Sequence, residues 1–114
     1  MAAQVQIINF GCFYGPGAKT VHSDKVWGNA EINGSLVSFW GKRGGRLSFK
    51  TRAGAQGRRD AEMKWAEKIG GRTSGDVYTV VSDAKIQRLL CPTLAEDVVS
   101  HYYSKMSKGQ LKTG

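Results

Sequence analysis

The chain has 114 residues, 17 of them Lys or Arg against 9 Asp or Glu, for a formal net charge of +8. That length allows a single domain, residues 1–114, with a real hydrophobic core, and 40% hydrophobic with 10% aromatic residues excludes a disordered basic tail. No apolar run reaches the ~18 residues of a membrane span and no charged-then-apolar signal pattern opens the chain, so the expectation is an intracellular protein, not secreted and with no membrane partner. Gln4 to Phe10 alternates well enough for a strand. Gly11, Gly15, Pro16 and Gly17 then predict a loop running to about Asp24. Lys25 to Asn33 and Ser35 to Lys42 read as two strands joined at Asn33-Gly34, a type I′ turn signal because both central residues need positive φ. A third strand, Arg46 to Arg52, follows Arg43-Gly44-Gly45. After a Gly/Ala loop over Ala53 to Gly57, a helix from about Arg58 to Ile69 carries Ala61, Trp65 and Ile69 on one stripe and stops at Gly70-Gly71. Val77 to Val81 is the last strand expected, and Ser82 or Asp83 caps a short helix to Leu90. Beyond Pro92, a final helix opens on a Thr93/Glu96 capping box and aligns Leu94, Val98 and Tyr102; residues 108–114 form a flexible tail.

A two-residue turn at Asn33-Gly34 dictates that Ile32 faces Ser35, Ala30 faces Val37, Gly28 faces Phe39 and Trp27 faces Trp40. One face of this hairpin then carries Val26, Ala30, Ile32, Val37 and Phe39, a core face. The other carries Lys25, Trp27, Asn29, Glu31, Leu36, Ser38, Trp40 and Lys42, which is polar apart from Leu36 and the two tryptophans. The third strand has two registers open to it. A two-residue turn at Gly44-Gly45 turns Arg46, Lys50 and Arg52 toward Phe39. A three-residue loop, Arg43-Gly44-Gly45, puts Leu47 and Phe49 with Phe39 and aligns Arg46, Ser48, Lys50 and Arg52 beside Lys42, Trp40 and Trp27. The second sorts every charge outward and is the register expected.

The charge is unevenly spread. Residues 1–41 are neutral and residues 73–114 carry +1, whereas residues 42–72 hold ten basic groups against Asp60, Glu62 and Glu67. The interleaving of Trp40, Phe49 and Trp65 with these cations points to a polyanion surface, where Lys and Arg neutralise phosphates and an indole stacks on a base or sugar. Arg58 and Arg59 add cations at the expected helix start, where free backbone N–H groups favour a phosphate. The alternative is that Trp27 or Trp40, Trp27 before Trp40, is covered by a C-terminal helix and the basic groups only solubilise the chain.

Lys25-Val26-Trp27, the Asn33-Gly34 hairpin and Trp40-Gly41-Lys42-Arg43-Gly44 resemble a WGR domain. This small module is named for its Trp-Gly-Arg tripeptide and is found in DNA-break-sensing poly(ADP-ribose) polymerases and in bacterial proteins. The similarity runs through the helix around Trp65 and the strand near Tyr78, so it covers residues 25–81, with residues 82–107 as a helical extension that has no counterpart. It implies an α+β fold, a small twisted antiparallel sheet with one packed helix, here followed by C-terminal helices. It also implies that Trp40 faces DNA against the sugar of a strand terminus and that Lys42 takes the motif arginine's place. Lysine keeps that charge without the planar fork, and Arg43 stands next to it as a substitute.

No enzyme is expected. Gly15 to Thr20 lacks the G-x-x-x-x-G-K-[ST] spacing of a phosphate loop and reads as a turn. His22 and His101 have no partners at local metal-ligand spacing, and no nucleophile with its base stands out. No cofactor and no metal are implied. Cys12 and Cys91, without CxxC spacing, read as reduced buried thiols. On the last helix, Tyr102 and Tyr103 divide between core and surface. The function expected is a non-enzymatic nucleic-acid-binding module, for DNA before RNA, that favours ends or junctions. Its candidate site residues are Trp27, Trp40, Lys42, Arg43, Arg46, Lys50, Arg52, Arg58 and Arg59. The other class left open is a protein-interaction module, a small effector or assembly subunit that grips an acidic protein.

Overall fold

The structure, a computed structural model, describes residues 4–15, 23–70 and 77–107. The expected turn beyond Gly15, His22, the Gly71 stop signal and the tail at 108–114 lie outside the described residues. Local turn chemistry organises the sheet. At Asn33 and Gly34 φ is 50° and 80°, as a type I′ turn requires, and the turn joins β2 (Ser23–Ile32) to β3 (Ser35–Lys42). Ile32 pairs with Ser35, Ala30 with Val37, Gly28 with Phe39 and Trp27 with Trp40, the register the turn dictates. β4 (Leu47–Arg52) pairs Phe49 with Phe39, Ser48 with Trp40 and Lys50 with Ser38. The three-residue loop has therefore formed, and Lys50 and Phe39 point to opposite faces.

β1 (Val5–Gly15) pairs with β2 from Val5 opposite Ile32 to Gly15 opposite Ser23. A register shift between Ile7 and Asn9 changes the alternation, so Val5, Ile7 and Phe10 all reach the same core. The strand continues through Gly11, where a loop is predicted. A Cβ at Gly11 would lie 3.0 Å from two ring atoms of Trp65 and 3.2 Å from Cβ of Tyr78; this glycine is a seat for a packed indole. β5 is short, Thr79–Val80, and pairs with β1 at Cys12 and Gly11. The Val81 N–H then donates to Phe10 O at 2.8 Å. The five strands form one antiparallel sheet in the order β4-β3-β2-β1-β5.

Three helices complete an α+β fold: α1 (Gly54–Gly70), α2 (Ala84–Leu90) and α3 (Leu94–Ser107). α1 starts inside the predicted Gly/Ala loop. Gly57 sits where a Cβ would meet the carbonyl carbon of Arg52 at 2.6 Å, so a residue that weakens an isolated helix by about 1 kcal/mol here lets α1 dock close to the end of β4. Asp83 caps α2, accepting from the Lys85 N–H at 2.8 Å. At the start of α3 the Thr93 hydroxyl donates to Asp97 Oδ2 at 2.9 Å, so the carboxylate that answers Thr93 is Asp97 and not the expected Glu96.

The two long helices take opposite faces of the sheet. α3 covers the apolar one, where Leu94, Val98 and Tyr102 close a core with Phe10, Val26, Ala30, Ile32, Val37 and Phe39. α1 covers the other, against β2, β3 and β4, and this corrects the sequence expectation of an open polar face. The reason is visible in its centre. Asn29 and Ser38 are fully buried but bond to each other, Ser38 Oγ donating to Asn29 Oδ1 at 2.7 Å, and Asn29 Nδ2 donates to the Ala61 carbonyl of α1 at 3.3 Å. Satisfied polar groups can be buried at little cost. Trp27, 5% exposed, is covered by α1 and not by a C-terminal helix, its ring stacked on Trp65 with centroids 6.2 Å apart and planes 19° apart.

Candidate nucleic-acid interface

Beside the Trp27–Trp65 stack a cleft of about 670 Å³ opens, within the ~300–1,000 Å³ typical of ligand pockets. Its walls come from four elements and one loop residue. β2 supplies Asp24, Lys25 and Trp27, β3 supplies Trp40 and Lys42, β4 supplies Arg52, α1 supplies Lys64 and Lys68, and Tyr78 comes from the segment before β5. The Trp27/Trp40 pairing across β2 and β3 places both indoles at this end of the sheet. Trp27 is the buried wall, and Trp40, only half-buried, is the more accessible of the two indoles.

Among the described residues five cations and one carboxylate line the cleft. Asp24 is already engaged: Arg43 donates to its Oδ2 from Nη2 at 2.6 Å and from Nε at 2.7 Å, and the Arg43 N–H bonds the Asp24 carbonyl at 3.0 Å. Lys64 has a long contact to Glu67 at 3.8 Å between exposed groups, which contributes little. Lys25 and Lys68 stand over the Tyr78 ring at 5.9 and 5.7 Å, Lys25 also over Phe13 at 5.4 Å. Phe13 and Tyr78 themselves are in ring contact at 5.9 Å. Two ammonium groups are thus set against aromatic faces.

The sequence candidates divide. Trp40, Lys42 and Arg52 line the cleft, with Trp27 as its wall. Arg43 is committed to Asp24 at its edge. Arg46 and Lys50 are exposed on the β4 side of the sheet, outside the lining. Arg58 is spent on Glu31 at 2.6 Å and Arg59 on Gln56 at 3.0 Å. Because α1 begins at Gly54, these two arginines lie beyond its first turn and have no free backbone N–H groups beside them, contrary to the expectation. Lys25, Lys64, Lys68 and Tyr78 are the cleft residues that sequence reasoning missed. Lys64 and Lys68, four apart around Trp65, become visible once Ala61 and Trp65 are seated on the tryptophan face of the sheet.

Three titratable groups outside the cleft lining are shifted. Burial, then the Asp24 charge, pushes the Cys12 thiol up against a smaller lowering by Arg43, and burial with Asp97 pushes Cys91 up. Both cysteines are free, Cys91 buried and Cys12 half-buried. His101 stacks on Phe49 at 5.6 Å on the α3 side, its pKa lowered by burial and Lys105. Among the described residues no group of three His, Cys, Asp or Glu could hold a metal ion, and no helix is long and apolar enough to cross a membrane. No family model, no curated protein and no solved structure matches the chain.

Proposed function

We propose that this protein is a non-enzymatic, WGR-like nucleic-acid-binding module that holds the backbone of a DNA strand in the cleft between α1 and the β2–β3 end of the sheet. One observation carries this reading: among the described residues Lys42, Arg52, Lys64 and Lys68 converge with a half-buried indole on a nucleotide-sized cleft whose carboxylate, Asp24, is engaged by Arg43. Such an arrangement has no use for a neutral ligand. Phosphates satisfy Lys42, Lys64, Lys68 and Arg52, and a base or sugar packs on Trp40, worth ~1–3 kcal/mol per stacked base. An indole at the end of a sheet, with the cations to one side, suits a strand terminus or junction, where a base face is accessible. The position of Trp40-Gly41-Lys42 on the cleft wall is in keeping with the WGR resemblance.

Fluorescence anisotropy with labelled single-stranded, blunt duplex and nicked duplex DNA, and with RNA, across a salt series tests this. If three or four phosphates are neutralised, log affinity falls against log salt with a slope of about −3. Trp40→Ala weakens binding by roughly tenfold or more, while Arg59→Ala, outside the cleft, leaves it nearly unchanged. Absence of binding to every probe at low salt refutes the proposal, and tight binding to an acidic protein in its place would favour the protein-interaction class.

A further inference from the structure

We infer that Arg52 is the residue that grips a single phosphate in the cleft, its guanidinium aimed by a buried relay through Ser38 and Asn29. This rests on the nucleic-acid reading above and assigns the ligand contact within it. Arg52 lies on β4 opposite Leu36, two residues along β3 from Ser38. Its Nε donates to Ser38 Oγ at 2.7 Å, Ser38 Oγ donates to Asn29 Oδ1 at 2.7 Å, and Asn29 Nδ2 donates to Asn9 Oδ1 at 2.9 Å and to Ala61 O at 3.3 Å.

The direction of this relay is forced. A serine hydroxyl has one hydrogen, and with that hydrogen on Asn29 Oδ1 its lone pairs are left to accept from Arg52. The Asn29 amide spends both hydrogens on Asn9 and Ala61, so no member can turn around without stranding a group inside the sheet, where Asn29 and Ser38 are fully buried. The relay consumes one donor of Arg52, at Nε. Among the described residues its two terminal nitrogens have no partner, and the side chain lines the cleft. A guanidinium held at Nε with its terminal nitrogens open is a preorganised fork for two oxygens of one phosphodiester.

Among the described residues Arg43 and Arg58 are closed on Asp24 and Glu31, and Arg52 is the arginine that lines the cleft. Anchoring at Ala61 also ties the relay to α1, the helix that brings Lys64 and Lys68 to the same cleft. Ser38 and Asn29 are thus positioning residues and Arg52 the contact residue. A lysine at position 52 cannot reproduce the arrangement, because one ammonium cannot bond Ser38 and also present a planar pair of donors.

The test compares wild type, Arg52→Lys, Ser38→Ala and the double variant for binding a fluorescein-labelled DNA strand over a salt series, with folding checked by circular dichroism. Arg52→Lys keeps the charge and is expected to lose affinity about tenfold with an unchanged salt slope. Arg52→Ala should lose at least as much and flatten the slope by about 0.7 to 0.9. Ser38→Ala should lose several-fold, and the double variant should bind no worse than Arg52→Lys, because Ser38 acts only through Arg52. Arg52→Lys lies at the cleft surface and tests the contact even if Ser38→Ala fails to fold. Wild-type affinity in Arg52→Lys, or additive losses in a folded double variant, overturns the assignment while leaving the nucleic-acid reading intact. A wild type that binds no DNA or RNA at low salt overturns both.

Discussion

Trp65→Ala separates the covered sheet seen in the structure from the open sheet predicted by strand alternation. On an open sheet Trp65 is a helix residue remote from the tryptophan surface. In the structure it stacks on Trp27 at 6.2 Å and fills the space above Gly11. Truncation removes a half-buried indole, worth about 1 to 1.5 kcal/mol of burial at half the value of a fully buried large side chain. It also removes a ring pair worth about 1 kcal/mol, and it exposes one side of Trp27, which is 5% exposed in the native fold, for a further ~1 kcal/mol. Together these give a loss of about 3 kcal/mol. Urea unfolding followed by far-ultraviolet circular dichroism reads it directly. With an m-value of about 1.5 to 2 kcal/mol per molar, the midpoint should fall by roughly 1.5 to 2 M. Trp65→Phe, which keeps a stacking ring, should lose less than half as much. A midpoint within about 0.3 M of wild type for Trp65→Ala would refute the seating of α1 on Trp27.

Gly34→Ala should cost about 1 to 2 kcal/mol, measurable as a lower thermal midpoint; φ there is 80° and an added Cβ meets no atom within 4 Å, so an unchanged midpoint would show that the turn is not held in this geometry. Asp24→Asn removes the carboxylate of the cleft and should tighten DNA binding a few-fold while steepening its salt dependence; weaker binding would mean that Arg43 must be held by Asp24 for the site to work. Burial and Lys105 lower the His101 pKa from 6.5, and its buried Nε2 has no hydrogen-bond partner among the described residues. The unfolded chain therefore binds the proton more readily. The contribution of His101 to stability is fully present above about pH 6.5 and is lost as pH falls from there through the lower folded value. Unfolding midpoints between pH 7.5 and 5 should show this loss, and His101→Phe should reduce it; an identical pH profile in that variant would refute the role of His101.

What was legible in the sequence was whatever a short stretch of chain decides. Asn33-Gly34 specifies its turn and so the β2–β3 register, the outward sorting of charge selects between the two registers open at Arg43-Gly44-Gly45, and together they place Trp27, Trp40, Lys42 and Arg52 on one face. The Leu94, Val98 and Tyr102 stripe was legible for the same reason, since helical spacing alone brings the three to one side. Gly11 and Gly57 misled because a glycine at a loop and a glycine under a packed neighbour look alike until the neighbour is known. Lys64 and Lys68 escaped because they reach the cleft only when α1 is docked, and Tyr78 because it arrives with β5 on the far edge of the sheet; Lys25 was already on the Trp40 face of the hairpin and was passed over.

The sequence by itself determined the hairpin registers, the helix-forming segments and the confinement of the excess charge to residues 42–72, all consequences of turn chemistry and residue periodicity. Only the tertiary structure decided which face each helix covers. Strand alternation separates two faces but does not say which one meets solvent. The face through Asn29 and Ser38 looks solvated because it is polar, and it is buried because those side chains satisfy one another and the Ala61 carbonyl. With α1 seated there, the broad basic sheet narrows to a cleft at one end, and the proposed site takes only the part of the positive charge that lines that cleft.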